Sequence, residues 1–164
     1  EAHGAKLHHV KPHGALYNMA ARSAELSEAI VRAVLDTDPG LILYALSGSV
    51  TVRVARNMGL ACAEEVFADR GYEADGSLTP RDRPGALLPD AAAALAQVLG
   101  MVRNGEVTCT DGRKLNLRAD TICIHGDEPT AVNVARHVRH GLEAAGCRVV
   151  QTGSHVSTWA WDQS

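Results

Sequence analysis

The alternation of apolar and polar positions divides this chain into strands and helices that follow one another in turn. Residues 7–13 predict a strand, with His9, Lys11 and His13 on one face and His8, Val10 and Pro12 on the other. Pro12 and Gly14 then break the run. Ser23 is placed to cap a helix over 24–36, with Leu26, Ile30, Ala33 and Val34 on its apolar face and Glu25 in its first turn. Asp36-Thr37-Asp38-Pro39-Gly40 ends that helix. Residues 41–46 are almost continuously apolar, the pattern of a parallel strand covered on both faces. Ser47-Gly48-Ser49 is a turn, and a helix over about 50–58 carries Val50, Val54 and Met58. Residues 60–67 predict a third strand, on which Ala63, Glu65, Phe67 and then Asp69 share a face. The stretch 69–88 is a loop rich in Gly, Pro and Arg, of a length expected to be either functional or disordered.

Asp90 starts an Ala-rich helix that runs to about Asn104 and ends at Gly105. Residues 107–110 and 114–117 flank Asp111-Gly112, a hairpin signal and a small excursion from the main sheet. Residues 121–125 predict a strand, with Ile122 and Ile124 on one side and Thr121, Cys123 and His125 on the other. Pro129 is expected in the first turn of the next helix. Ala131, Val134, Ala135, Val138 and Leu142 form that helix's buried stripe, and Gly146 ends it. Residues 147–151 predict a last strand. Residues 1–6 read as the end of a helix closed by Gly4, so further residues are expected before them. The tail from Thr152, with two tryptophans and little periodicity, is expected to be poorly ordered or to cover an edge.

The resulting order, β-α-β-α-β-loop-α-(hairpin)-β-α-β, calls for a mainly parallel sheet with right-handed crossovers. An open doubly wound sheet and a piece of a β/α barrel both satisfy it. Polar residues stand at alternate positions of three strands, opposite Val10, Val66, Ile122 and Ile124, which favours the barrel. There one strand face packs on helices and the other lines an interior whose C-terminal mouth holds the active site. No internal repeat is present, and residues 1–164 are expected to form a single domain.

Composition narrows the function class. Hydrophobic residues make up 46% of the chain and aromatics 4%, so the core is aliphatic. A net charge of −3 offers no electrostatic basis for binding nucleic acid or an anionic membrane. No apolar run approaches the roughly 20 residues that span a bilayer, and no secretory pattern opens the chain. The four cysteines form no C-x-x-C pair and are expected to be reduced structural thiols of a cytoplasmic protein, not zinc ligands.

Three polar clusters sit at strand C-termini: Lys11 and His13, with Tyr17 and Asn18 beyond; Asp69 and Arg70, followed by Tyr72, Arg81 and Arg83; and His125 with Asp127. Each has a bland explanation. A strand-end histidine is often a structural hydrogen-bonding group, Asp127 or Glu128 suits a helix cap, loop arginines are usually solvated, and Asp69 and Arg70 could pair with each other. Together the clusters suit hydrolysis of an amide or of its phosphorylated derivative. A His or Asp would act as base on water, and Lys11 or Arg70 would stabilise an oxyanion or hold a carboxylate. No phosphate-binding glycine loop of either common type and no G-x-S-x-G nucleophile elbow occurs. Metal ligation by His13, His125 and Asp127 is a further option, without a ligand spacing typical of such sites.

The stretch His9-Val10-Lys11-Pro12-His13-Gly14-Ala15-Leu16-Tyr17-Asn18 resembles the signature of the LamB/YcsF family. Glu64-Glu65-Val66-Phe67-Ala68-Asp69-Arg70-Gly71-Tyr72, Asp75-Gly76-Ser77-Leu78-Thr79-Pro80-Arg81 running on to Gly85-Ala86-Leu87-Leu88, and Ile122-Cys123-Ile124-His125-Gly126-Asp127 resemble its later blocks. They come in family order, from about residue 6 to about 150. The resemblance implies an α/β fold, a distorted β/α barrel of the glycoside hydrolase/deacetylase type, here incomplete. It also implies work alongside 5-oxoprolinase subunits B and C, opening the lactam of 5-oxo-L-proline to L-glutamate with ATP as co-substrate. In that reading Lys11, His13, Asp69, Arg70, His125 and Asp127 are catalytic, and Tyr17, Asn18, Glu65, Arg81 and Gly126 bind substrate. Asp69 or Asp127 would be the base, Lys11 and Arg70 the carboxylate or oxyanion ligands, His13 and His125 proton shuttles, and Arg81 a closing group.

About the first third of a typical member, with its acidic first strand and a Gly-Phe-His-Ala-Gly-Asp-like block, has no counterpart here. The open strand edges left behind would invite association into a homo-oligomer, and inactivity of the chain alone is expected. Two other readings stand beside this one: a metal-dependent deacetylase-like carbohydrate or amide hydrolase, and a non-catalytic subunit that binds 5-oxoproline or bridges its partners.

Overall fold

The computed structural model describes residues 4–127 and 129–153. Its elements in chain order are β1 (His9–Val10), α1 (Ala15–Ala20), α2 (Ala24–Thr37), β2 (Ile42–Leu46), α3 (Val50–Asn57), β3 (Cys62–Phe67), α4 (Ala91–Asn104), β4 (Glu106–Thr108), β5 (Lys114–Asn116), β6 (Thr121–Cys123) and α5 (Ala131–Ala144). The capping chemistry acts where it was expected. Ser23 Oγ accepts the Leu26 N–H at 3.2 Å, and Asp90 Oδ1 accepts that of Ala93 at 2.8 Å. Gly105 closes α4 in a left-handed conformation.

β1, β2, β3 and β6 form one parallel sheet in that order, and β4 and β5 pair separately as the expected hairpin. Each strand lies beside its predecessor in the sheet, with no reversal of order. A doubly wound sheet would reverse, so this is part of a β/α barrel. The register pairs Tyr44 with Ala63, Leu46 with Glu65 and Phe67 with Cys123, which puts these side chains on one face. The opposite face packs on helices. Leu43 meets Val31 and Val34 of α2 and Val54 and Ala55 of α3, while Ile122 and Ile124 meet Val98 of α4 and Val138 and Leu142 of α5. One polar group on that face, the buried Glu64 carboxylate, is satisfied by Ser47 Oγ, the Gly48 N–H and Arg56.

The structure departs from the sequence pattern in five places. The 7–13 strand pairs only through His9 and Val10, opposite Ile42 and Leu43; Pro12 has no N–H with which to extend the ladder. Residues 15–20, to which the sequence pattern assigns no element, form the short helix α1. The 121–125 strand stops at Cys123, because the His125 N–H turns to the Asp69 carboxylate instead of a strand partner, at 2.9 Å. Pro129 precedes the Thr130 cap of α5 and so lies before the first turn. Residues 147–151 form no strand; the segment instead leads to Thr152, whose hydroxyl meets Tyr44 Oη at 2.7 Å. The expected helix end at residues 1–3, the Glu128 cap and the two tryptophans of the tail lie outside the described residues. Among the described residues no helix is long and apolar enough to cross a membrane, and the four cysteines are free.

Candidate active site

A cavity of about 510 Å³ opens at the C-terminal ends of β1, β3 and β6. From β1 and the turn after it come Lys11, His13, Gly14, Tyr17 and Asn18; from β3 and its loop Phe67, Arg70, Leu78 and Arg81; and from the end of β6 Cys123, His125, Gly126 and Asp127. A second cavity, of about 310 Å³, lies between β6, α5 and residues 147–152. Ile122, Val138, Leu142 and Val149 make its walls mostly apolar, with Asp120, Arg139 and Arg148 also lining it.

Lys11 leaves β1 on the inner face and reaches across β2 to Glu65 of β3. Its Nζ lies 2.9 Å and 2.7 Å from the two Glu65 oxygens and 3.4 Å from Cys123 Sγ. The rings of Tyr17 and Phe67 flank it, with centroids 5.3 Å and 5.2 Å away. Burial disfavours the ammonium, but the hydrogen bond and charge of Glu65 outweigh it, and the Lys11 pKa is raised. Lys11 is therefore a fixed cation at neutral pH. The Tyr17 hydroxyl is buried without a well-formed hydrogen bond. Burial first, and the Glu65 charge second, push its pKa up, so it stays neutral. Burial likewise raises the Cys123 pKa, which keeps that side chain a thiol.

Asp69 and His125 form the second unit. His125 Nδ1 lies 3.0 Å from both Asp69 oxygens, and the His125 backbone N–H donates to the same carboxylate at 2.9 Å. An ionised carboxylate only accepts, so Nδ1 carries a proton; the neutral tautomer compatible with this geometry is the one whose Nε2 keeps its lone pair. Phe67 stacks on the imidazole at 5.6 Å between centroids. A histidine held in one tautomer by a carboxylate is the arrangement of a general base with its orienting partner.

The arginines and Asp127 do different work. Arg70 is buried; its Nε donates to Ala86 O at 3.0 Å and its Nη2 to Thr79 O at 2.6 Å. It thereby folds the 69–88 loop back on itself. The Asp69–Arg70 ion pair considered from the sequence does not form, since Asp69 is engaged by His125. Gly71 crosses this loop so closely that a Cβ there would collide with the Gly85 carbonyl. Arg81, at the loop's tip, pairs with Asp127 at 2.8 Å across the cavity mouth, both about half exposed. Arg81 holds the Asp127 carboxyl below its ordinary pKa, which makes it a weak base. Asp127 does not cap α5, whose N-terminus has no side-chain cap among the described residues.

Of the residues picked out from the sequence, Lys11, His13, Tyr17, Asn18, Arg70, Arg81, His125, Gly126 and Asp127 meet at the cavity. Glu65 and Asp69 stand behind it and hold Lys11 and His125. His13 is exposed at the rim, and Asn18 Nδ2 donates to Gly14 O at 3.2 Å. The three residues weighed as metal ligands, His13, His125 and Asp127, do not converge as a ligand set; among the described residues no three His, Cys, Asp or Glu side chains do. Sequence reasoning missed Cys123 as a lining residue, although it shares a face with His125 in the expected 121–125 strand. It places Tyr72 in the second cluster without a role; the Tyr72 Oη accepts the Phe67 N–H at 2.8 Å. It also missed Gln97, an amide in an apolar stretch of α4.

Comparison with known proteins adds an independent view. The model of the LamB/YcsF family matches residues 1–157. The proteins named as the A subunit of 5-oxoprolinase from Bordetella pertussis (strain Tohama I) and Bordetella parapertussis (strain 12822) are each 56% identical over 146 residues, which is 89% of this chain and 58% of theirs. The crystal structure of the lactam utilization protein from Thermus thermophilus superposes with a TM-score of 0.81 at 47% identity, covering 90% of this chain and 59% of that one. The chain thus spans 58% of the length of the curated relatives it matches.

Proposed function

This chain belongs to the LamB/YcsF family, and we propose that its cavity is where the A component of a 5-oxoprolinase brings water to the lactam of 5-oxo-L-proline. The product is L-glutamate, the co-substrate of the assembly is ATP, the partners are subunits B and C, and the location is cytoplasmic. The observation that carries the reading is the Asp69–His125 pair on the same cavity as the Lys11–Glu65 pair.

The chemistry follows from those two pairs. With Nδ1–H held by Asp69, His125 Nε2 takes a proton from water as the water oxygen attacks the lactam carbonyl carbon. Charge develops on the carbonyl oxygen, where the fixed Lys11 cation stabilises it. The ring C–N bond then breaks, and the nitrogen takes the proton back from His125. Arg81 and His13 at the rim suit the substrate carboxylate, with Arg81 exchanging Asp127 for it.

The test is glutamate release from 5-oxoproline and ATP by the full-length protein with subunits B and C. His125→Gln and Lys11→Met should each reduce the rate by about 10²-fold or more, the range of a lost general base or oxyanion donor. Full activity in either variant would sink the assignment. Binding of 5-oxoproline without turnover in the complete assembly would point to a substrate-holding role instead.

A further inference from the structure

Gln97 belongs to α4, on the helix layer behind the sheet, and does not line the cavity. Its side-chain Nε2 nevertheless reaches the point where β3 ends, lying 3.0 Å from Phe67 O, 3.4 Å from Ala68 O and 2.9 Å from Arg70 O. All three neighbours are acceptors, so the amide nitrogen and not its oxygen must face them. Asp69 is the residue between the second and third of these carbonyls. Two further bonds hold the main chain around it: the Ala68 N–H donates to Cys123 O at 3.0 Å, and Asp69 O accepts from the Leu88 N–H at 3.1 Å. The chain leaves the sheet here, and no strand partner holds the Phe67, Ala68 and Arg70 carbonyls. Without Gln97 two or three buried carbonyls would lose a donor, and the turn carrying Asp69 would relax toward water.

We propose that Gln97 is a positioning residue: by gripping the carbonyls on either side of Asp69, it sets that carboxylate so that it fixes the His125 tautomer. This deepens the proposed function, since it rests on His125 as the base, but it concerns a side chain two steps removed from substrate. Asp69 must reach both Nδ1 and the backbone N–H of His125 at once, and a small rotation of the turn would break one of the two.

The test uses the full-length protein. Long-range proton–nitrogen spectra of the imidazoles report which ring nitrogen of His125 carries the proton. In the parent, the signal should be that of Nδ1–H. In Gln97→Leu, which keeps bulk but removes the donor, and in Gln97→Glu, which is isosteric but cannot donate while ionised, it should become a mixture of both tautomers. Leu95→Ala, on the same helix, serves as the control; it should lower thermal stability and leave the tautomer unchanged. A folded Gln97→Leu protein with an unchanged Nδ1–H signal would overturn the proposal. So would a tautomer change of the same size in Leu95→Ala. With subunits B and C, ring opening by Gln97→Leu should fall by about 10²-fold, the cost of a displaced catalytic group. A changed tautomer with undiminished ring opening would uphold the positioning role and refute His125 as the base, so the two claims fail separately.

Discussion

Removing Lys11 probes the inner face of the sheet most sharply. The Glu65 side chain is 4% exposed and that of Lys11 27% exposed, so the two partners do not depend on each other equally. Lys11→Met leaves a carboxylate with almost no access to water, beside the buried Tyr17 hydroxyl and a neutral thiol. Breaking a buried pair from one side costs about 3–5 kcal/mol. Some water reaches the Lys11 end, which favours the lower figure, ~3 kcal/mol. At this chain length each kcal/mol moves Tm by roughly 2–4 °C, so a fall of roughly 6–12 °C is expected. Glu65→Gln should be milder, about 1 kcal/mol, because the freed ammonium can lean toward solvent on its flexible stem. The double variant Lys11→Met/Glu65→Gln carries no uncompensated charge and should recover most of the loss. Urea unfolding of the four proteins at neutral pH gives the full cycle. A cost below about 1 kcal/mol for Lys11→Met would show that Glu65 does not depend on its partner. A double variant no more stable than Lys11→Met would show the same.

Other expectations follow from single contacts. The raised Lys11 pKa means that its contribution is fully present below the ordinary value of 10.5 and is lost as pH climbs through the folded value above it. The Tm gap between the parent chain and Lys11→Met should therefore stay constant to about pH 10 and narrow beyond. Gly14 has φ 59° and ψ −128°, a combination only glycine adopts without strain, so Gly14→Ala should cost about 1–3 kcal/mol in urea unfolding. Gly71→Ala should push the 69–88 loop off its Gly85 crossing, and limited proteolysis should then cut within that loop. Arg81→Ala removes a half-exposed pair, so stability should change by less than about 1 kcal/mol, while KM for 5-oxoproline in the full assembly rises several-fold and kcat changes less.

The sheet and its two faces were legible because a strand's period of two survives in any context. Val10, Val66 and Ile122 face helices, and Lys11, Glu65, Cys123 and His125 face inward, as the alternation required. Strand ends were not legible, because partners at a distance decide them. β6 stops when the His125 N–H finds Asp69, 56 positions earlier in the chain, and residues 147–151 have strand-like composition but form no strand. The short helix α1 escaped because six residues carry less than two turns of periodicity. Within the site, residue types could be foreseen and pairings could not. Lys11 and Asp69 each looked available to substrate; Lys11 is committed to Glu65 and Asp69 to His125. Arg70 looked like an anion ligand, yet two of its N–H groups hold backbone carbonyls of its own loop. Such commitments depend on side-chain reach across strands, which spacing along a chain does not encode.

Whether the cavity between Lys11, His125 and Arg81 receives 5-oxoproline decides the functional reading of this chain. Crystals of the full-length protein soaked with 5-oxoproline answer that question. Ring density is expected within hydrogen-bond reach of His125 Nε2, with the carboxylate turned toward Arg81. Density for the ligand elsewhere, with this cavity empty at saturating concentration, would rule the assignment out.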